Sequence, residues 1–140
     1  MSGRTFVDTN IFIYSYDARD PVKQSKARQL IEDLMLEGTA TVSYQVVHEF
    51  FQFALVKAAK RMSHRDAHIY LEEVFRPIAS VPSTISLVSE AIRIQERYLL
   101  SWYDSLIVAA AQQAGCGVLY SEDLQHGQRF GDLTVRNPFL

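Results

Sequence analysis

Four acidic residues stand in apolar surroundings where a globular chain gains nothing from charge: Asp8, Glu49, Asp104 and Asp123. Asp8 ends the apolar stretch of RTFVDTNIFIY, Glu49 lies inside VVHEFFQF, Asp104 opens SWYDSLIVAAA, and Asp123 follows VLYS. Each has a local explanation. Asp8 can cap the following helix, Asp104 stands three residues after Ser101 as in a capping box, Asp123 suits a turn, and Glu49 can reach solvent from the edge of its helix. Collected on one rim, however, four carboxylates repel one another unless a cation lies among them. A cation that takes hard oxygen ligands and keeps some of its waters is Mg²⁺ or Mn²⁺. Zinc is disfavoured, because His48, His64, His68, His126 and the single Cys116 form no compact ligand set. The sequence contains neither a glycine-rich phosphate loop nor a nucleophile elbow.

The elements that must position these acids alternate along the chain. Strands are predicted at Arg4–Asp8, Thr39–Ser43, Ile78–Val81, Val118–Ser121 and Leu133–Arg136. Helices are predicted from Ile11 to Tyr16, from Pro21 to Glu37, through VVHEFFQFALVKAAK behind a Ser43 cap, from Ser63 to about Phe75, from Ile85 to Tyr98, and from Trp102 to Ala114. Strands alternating with long helices give a mainly parallel sheet covered on both faces, a three-layer α/β/α domain. In such a domain the strand C-termini and the helix N-termini after them share one edge, where Asp8, Asp104 and Asp123 fall. Glu49 lies less than two turns into the helix after the second strand.

The length of 140 residues fits one domain spanning 1–140. A net charge of −2 supplies no overall attraction for polyanions, so any nucleic-acid contact needs a local basic patch. The densest run is KAAKRMSHR, with Lys57, Lys60, Arg61 and Arg65, which reads equally well as a solvated helix end. The lone cysteine, the absence of a basic-then-apolar leader and the polar interruptions at Asp104, Gln112 and Gln113 in the longest apolar run point to a cytoplasmic protein without a membrane span.

With the acids in place, the sequence resembles the PIN-domain ribonucleases, and among them the VapC-type toxins. The resemblance rests on FVDTNIFIY, SYQVVHEFF, YDSLIVAAA, LYSEDLQHGQRF and VRNPF, which run in the family's order over nearly the whole chain. It implies a carboxylate cluster of Asp8, Glu49, Asp104 and Asp123 that carries one or two Mg²⁺ or Mn²⁺ ions and hydrolyses RNA. Thr9 and Asn10 match the small polar residues that orient the first acid, and Ser121 matches the polar residue before the last acidic pair. Of that pair, Asp123 rather than Glu122 is assigned to the metal.

The resemblance also implies a cognate antitoxin protein and a homodimer. Tyr14, Tyr16, Phe50, Phe51, Phe53 and Trp102 are candidates for an apolar groove or for core. Alternatives are a non-toxin PIN-domain RNA-processing nuclease, a non-catalytic PIN-fold RNA-binding protein, and a phosphoacceptor receiver-like domain. The receiver reading lacks a paired acid at Asp8 and a lysine in Leu133–Arg136.

Overall fold

A computed structural model of the chain describes residues 3–140. Six strands form one sheet in the order β3-β2-β1-β4-β6-β5. They are β1 (Arg4–Val7), β2 (Ala40–Ser43), β3 (Ala79–Val81), β4 (Cys116–Tyr120), β5 (Arg129–Phe130) and β6 (Leu133–Arg136). All neighbours are parallel except β5 and β6, which pair antiparallel through Phe130 and Leu133. The helices are α1 (Thr9–Tyr16), α2 (Pro21–Glu37), α3 (Tyr44–Gln52), α4 (His64–Tyr70), α5 (Ile85–Tyr98) and α6 (Trp102–Gln113).

The strand order places the site. From β1 the chain steps outward to β2 and β3 through α1–α4, then returns through α5 and α6 to β4 on the other side of β1. Right-handed crossovers in opposite directions must cover opposite faces of the sheet. Accordingly α1 packs on α2 and α3, while α5 packs on α6, which lies against β2 and β4. The sheet is therefore the middle of three layers, and β1/β4 is the point where its winding reverses. A crevice opens beyond the strand ends at such a point.

Local chemistry sets the element ends. Asp20 accepts a hydrogen bond from the Lys23 N–H and Pro21 occupies the first turn of α2, both favourable at a helix start. Gly38 ends that helix with φ 72°, a left-handed conformation that costs glycine nothing. Ser63 and Ser101 cap α4 and α6 as their spacing predicts, accepting from the N–H of Asp66 and Asp104. Ser43 does not cap α3 with its side chain; its hydroxyl is buried without a partner.

The predicted helix through VVHEFFQFALVKAAK is shorter than expected. The α-helical part ends at Gln52, a π-helical turn continues over Phe53–Lys57, and Ala58 is extended. A second π-helical turn, Leu71–Phe75, follows α4. The fully buried rings of Phe12, Phe50 and Phe75 pack together, with ring centroids 5.0–6.5 Å apart, and Tyr70 stacks on Phe50 at 4.8 Å. The Phe12 and Phe50 rings tie α1 to α3. No helix among the described residues is long and apolar enough to cross a membrane.

Candidate active site

Asp8 follows the last residue of β1 and is 4% exposed. Its backbone N–H still bonds to the Tyr120 carbonyl at 3.0 Å, so the carboxyl is fixed at the β1/β4 reversal. Oδ1 accepts the Thr9 N–H at 2.7 Å, which makes Asp8 the cap of α1. Oδ2 accepts the Ser121 hydroxyl at 2.7 Å and the Asn10 amide at 3.4 Å. Three of about four lone-pair directions are thus occupied, and the remainder faces the crevice. Capping and presentation of a carboxylate are both done by one residue.

The other three acids arrive from separate elements. Glu49 is on α3, where its Oε1 accepts the Thr9 hydroxyl at 2.8 Å and the Gln45 side-chain amide at 3.3 Å. Gln45 also donates to the Tyr103 carbonyl at 3.3 Å, linking the starts of α3 and α6. Asp104 lies in the first turn of α6 behind the Ser101 cap. Asp123 follows β4, with its N–H donating to Ser121 Oγ at 3.1 Å and its Oδ2 accepting from Asn10 at 3.1 Å. The Asn10 amide therefore stands between Asp8 and Asp123.

All four acids line one cleft of about 620 Å³, together with Thr9, Asn10, Gln45, His48, Phe53, Lys57 and Tyr103 among others. Glu122 does not line it. Its carboxylate accepts the Tyr14 hydroxyl at 2.6 Å and pairs with Lys23. Burial alone would raise the Glu122 carboxyl, but Lys23 and Tyr14 outweigh it and hold the group below its ordinary value.

Of the basic run, only Lys57 reaches the acidic cleft. Lys60 and Arg61 line a separate groove of about 520 Å³ with Arg19, Arg28 and two carboxylates, Asp17 (paired with Arg19) and Asp66, and Arg65 lines neither cleft nor groove. Among the aromatic candidates, Phe50 is core, Phe53 lines the acidic cleft and Tyr16 lines the basic groove. Sequence reasoning does not reach Gln45, His48 or Tyr103 as lining residues. Gln45 carries a usable signal, since it stands four residues before Glu49 on the same helix face.

The electrostatics of the cleft are those of an excess of negative charge. Burial pushes the Asp8 carboxyl up to about 7, against the opposing hydrogen bonds of Ser121 and Thr9, and the charges of Asp123 and Glu49 push the same way. Burial also raises Asp104, opposed by Ser101 and reinforced by Asp123. Among the described residues no three His, Cys, Asp or Glu side chains converge closely enough to enclose an ion by themselves. The carboxylates of the cleft are hard oxygen donors of the kind Mg²⁺ or Mn²⁺ take while keeping several waters, and a lining with His48 as its one imidazole and no cysteine does not fit a closed zinc site.

Residues 5–129 match the PIN domain family. No curated protein matches the chain by sequence. Several solved structures share its fold at low identity. A toxin–antitoxin complex from Klebsiella pneumoniae has a TM-score of 0.69 at 16% identity, covering 96% of this chain and 97% of that one. FitAcB from Neisseria gonorrhoeae has a TM-score of 0.64 at 14% identity, covering 96% and 98%. The sarcin-ricin-loop-cleaving toxin VapC20 of Mycobacterium tuberculosis has a TM-score of 0.63 at 19% identity, covering 84% and 88%. Matched over most of its length, with its strand order and its acids at the reversal point, this chain belongs to the PIN domain family.

Proposed function

We propose that the chain is a Mg²⁺- or Mn²⁺-dependent endoribonuclease, and the toxin of a toxin–antitoxin pair. One observation carries the reading: four carboxylates from four separate parts of the chain line a single cleft at the sheet's reversal point. The complete acid set favours a nuclease over a PIN-fold protein that only binds RNA. Asp8, Asp104 and Asp123 would hold the cation, with Glu49 completing the set or admitting a second ion with substrate. Bound there, the cation supplies positive charge against the reacting phosphodiester and acidifies the attacking water.

The residues of the chain do the positioning. Ser121 and Thr9 fix the Asp8 carboxylate, Thr9 and Gln45 fix Glu49, and Asn10 spaces Asp8 from Asp123. Lys57, the cation of the KAAKRMSHR run that lines the cleft, is placed to pair with a substrate phosphate. Attack by water in line with the ribose 3′-oxygen, which departs and takes up a proton, leaves a 5′-phosphate and a 3′-hydroxyl, with no use of the ribose 2′-hydroxyl. RNA incubated with the protein and Mg²⁺ is expected to be cut with those ends, and EDTA to stop the reaction. Ends carrying 2′,3′-cyclic phosphate that persist in EDTA would exclude the mechanism.

The basic groove beside Tyr16 is the proposed track for the RNA backbone beyond the cleft. Changing Lys60 and Arg61 to Gln is expected to flatten the dependence of log affinity on log salt. The slope should fall by about 0.7 for every single-strand phosphate that these side chains no longer neutralise. An unchanged salt slope removes the groove from the binding path. Likeness to toxin–antitoxin complexes supports an antitoxin partner, and a homodimer and a cytoplasmic location belong to the same reading.

A further inference from the structure

Glu122 adjoins Asp123 in sequence yet is held on the outer side of the same turn. Its carboxylate is gripped by two elements: Tyr14 of α1 through a hydroxyl and Lys23 of α2 through an ammonium group. Lys23 Nζ also lies 4.7 Å from the centre of the Tyr14 ring and 5.4 Å from that of Phe139, whose rings meet edge to face. A cation over two aromatic faces has a third reason to stay in place.

The backbone of Glu122 carries the grip inward. Its N–H donates to Asn10 Oδ1 at 3.2 Å. That bond and the two carboxylates on the other side together fix which way the Asn10 amide faces, because the reversed amide would set its NH₂ against the Glu122 N–H and its oxygen against Asp8 and Asp123. Asn10 Nδ2 is therefore directed at Asp8 Oδ2 and Asp123 Oδ2.

We propose that Lys23, acting through Glu122, is a positioning residue for the carboxylate set: the Lys23–Glu122–Tyr14 clasp fixes the 121–123 turn, and with it the Asn10 amide that spaces Asp8 from Asp123. The inference rests on the reading of the cleft as a divalent-cation site. Glu122 then serves the site without being a ligand, and α2, which contributes no residue to the cleft lining, governs its geometry. The pair is partly exposed, with side chains 32% and 24% accessible, so its loss costs the global fold little.

The test uses the full chain without RNA, with Mn²⁺ binding read by electron paramagnetic resonance and the Asn10 side-chain amide read by NMR in EDTA. Lys23→Met and Glu122→Gln are each expected to weaken Mn²⁺ binding about tenfold with an unchanged Tm, as loss of a residue that supports a metal ligand does, and to shift the Asn10 amide pair. The double variant is expected to be no worse than either single one, because both act along one path. Lys23→Arg keeps the charge and is expected to restore both readouts. A folded Lys23→Met protein whose Asn10 resonances and Mn²⁺ affinity match wild type overturns the proposal, as do losses that add in the double variant. If wild type itself binds no Mn²⁺, the cation reading of the cleft fails, and the Asn10 resonances in EDTA still decide whether the clasp orients that amide.

Discussion

Asp8→Asn and Asp104→Asn are each expected to slow RNA cleavage on the order of 10³-fold at saturating Mg²⁺, with the fold intact. Asparagine preserves the shape of the side chain and can keep an oxygen on the Thr9 N–H, so the cap of α1 survives at Asp8. What is lost is one negative charge from a rim whose function is to hold positive charge. At Asp104 the Ser101 cap uses the backbone N–H and the serine hydroxyl, so it too survives the change. Circular dichroism and single-turnover cleavage on the same preparations separate folding from chemistry. Cleavage retained in either folded variant would move the reaction away from this cleft.

In EDTA the folded chain is expected to lose stability as pH rises from about 4 to about 7, and Asp8→Asn is expected to abolish most of that loss. The Asp8 carboxyl titrates at about 7 in the folded protein against 3.8 ordinarily. Between those values the folded state keeps a proton that the unfolded state has released. Stability therefore falls with rising pH across the window, the reverse of the behaviour of a salt-bridged carboxylate. A separation of about three pKa units corresponds to at most about 4 kcal/mol. Asp104, raised in the same direction, adds to the slope.

A divalent cation prefers the ionised acids, so its stabilising effect should grow over the same pH range. Urea unfolding across this range, with EDTA or with Mn²⁺, measures both effects. Parallel curves for wild type and Asp8→Asn in EDTA would show that Asp8 is not held neutral by its burial.

The fold and the acids were legible because both are written in local patterns. Buried parallel strands leave short apolar runs, and a carboxylate next to such a run at Asp8, or inside an apolar helix at Glu49, stands out without any knowledge of the tertiary structure. The parts that were not legible depend on distance or on very short range. β5 is two residues long, too short for alternation to register, and it pairs antiparallel at the edge of the sheet. The π-helical turn at Phe53–Lys57 and the extended Ala58 come from how α3 meets its neighbours, since VVHEFFQFALVKAAK by itself favours a helix throughout. That early end to the helix is why Lys57 reaches the acidic cleft while Lys60 and Arg61 line another groove. Glu122 and Asp123 are adjacent acids that local pattern does not tell apart, and only the family resemblance assigns the metal to Asp123. What separates them is Lys23, 99 residues earlier in the chain than Glu122.

The reversal of the sheet between β1 and β4 also sets a schedule. Asp8 is synthesised well before the Ser121 hydroxyl that orients it, which lies 113 residues later in the chain. Parallel pairing over such a separation forms late, since the loop must close before the pairing contributes. A nascent chain that has already released α1, α2 and α3 thus carries Asp8 and Glu49 without the second half of their site. For a protein proposed to cut RNA while emerging from a machine built of RNA, this strand order withholds the complete carboxylate set until translation has passed β4.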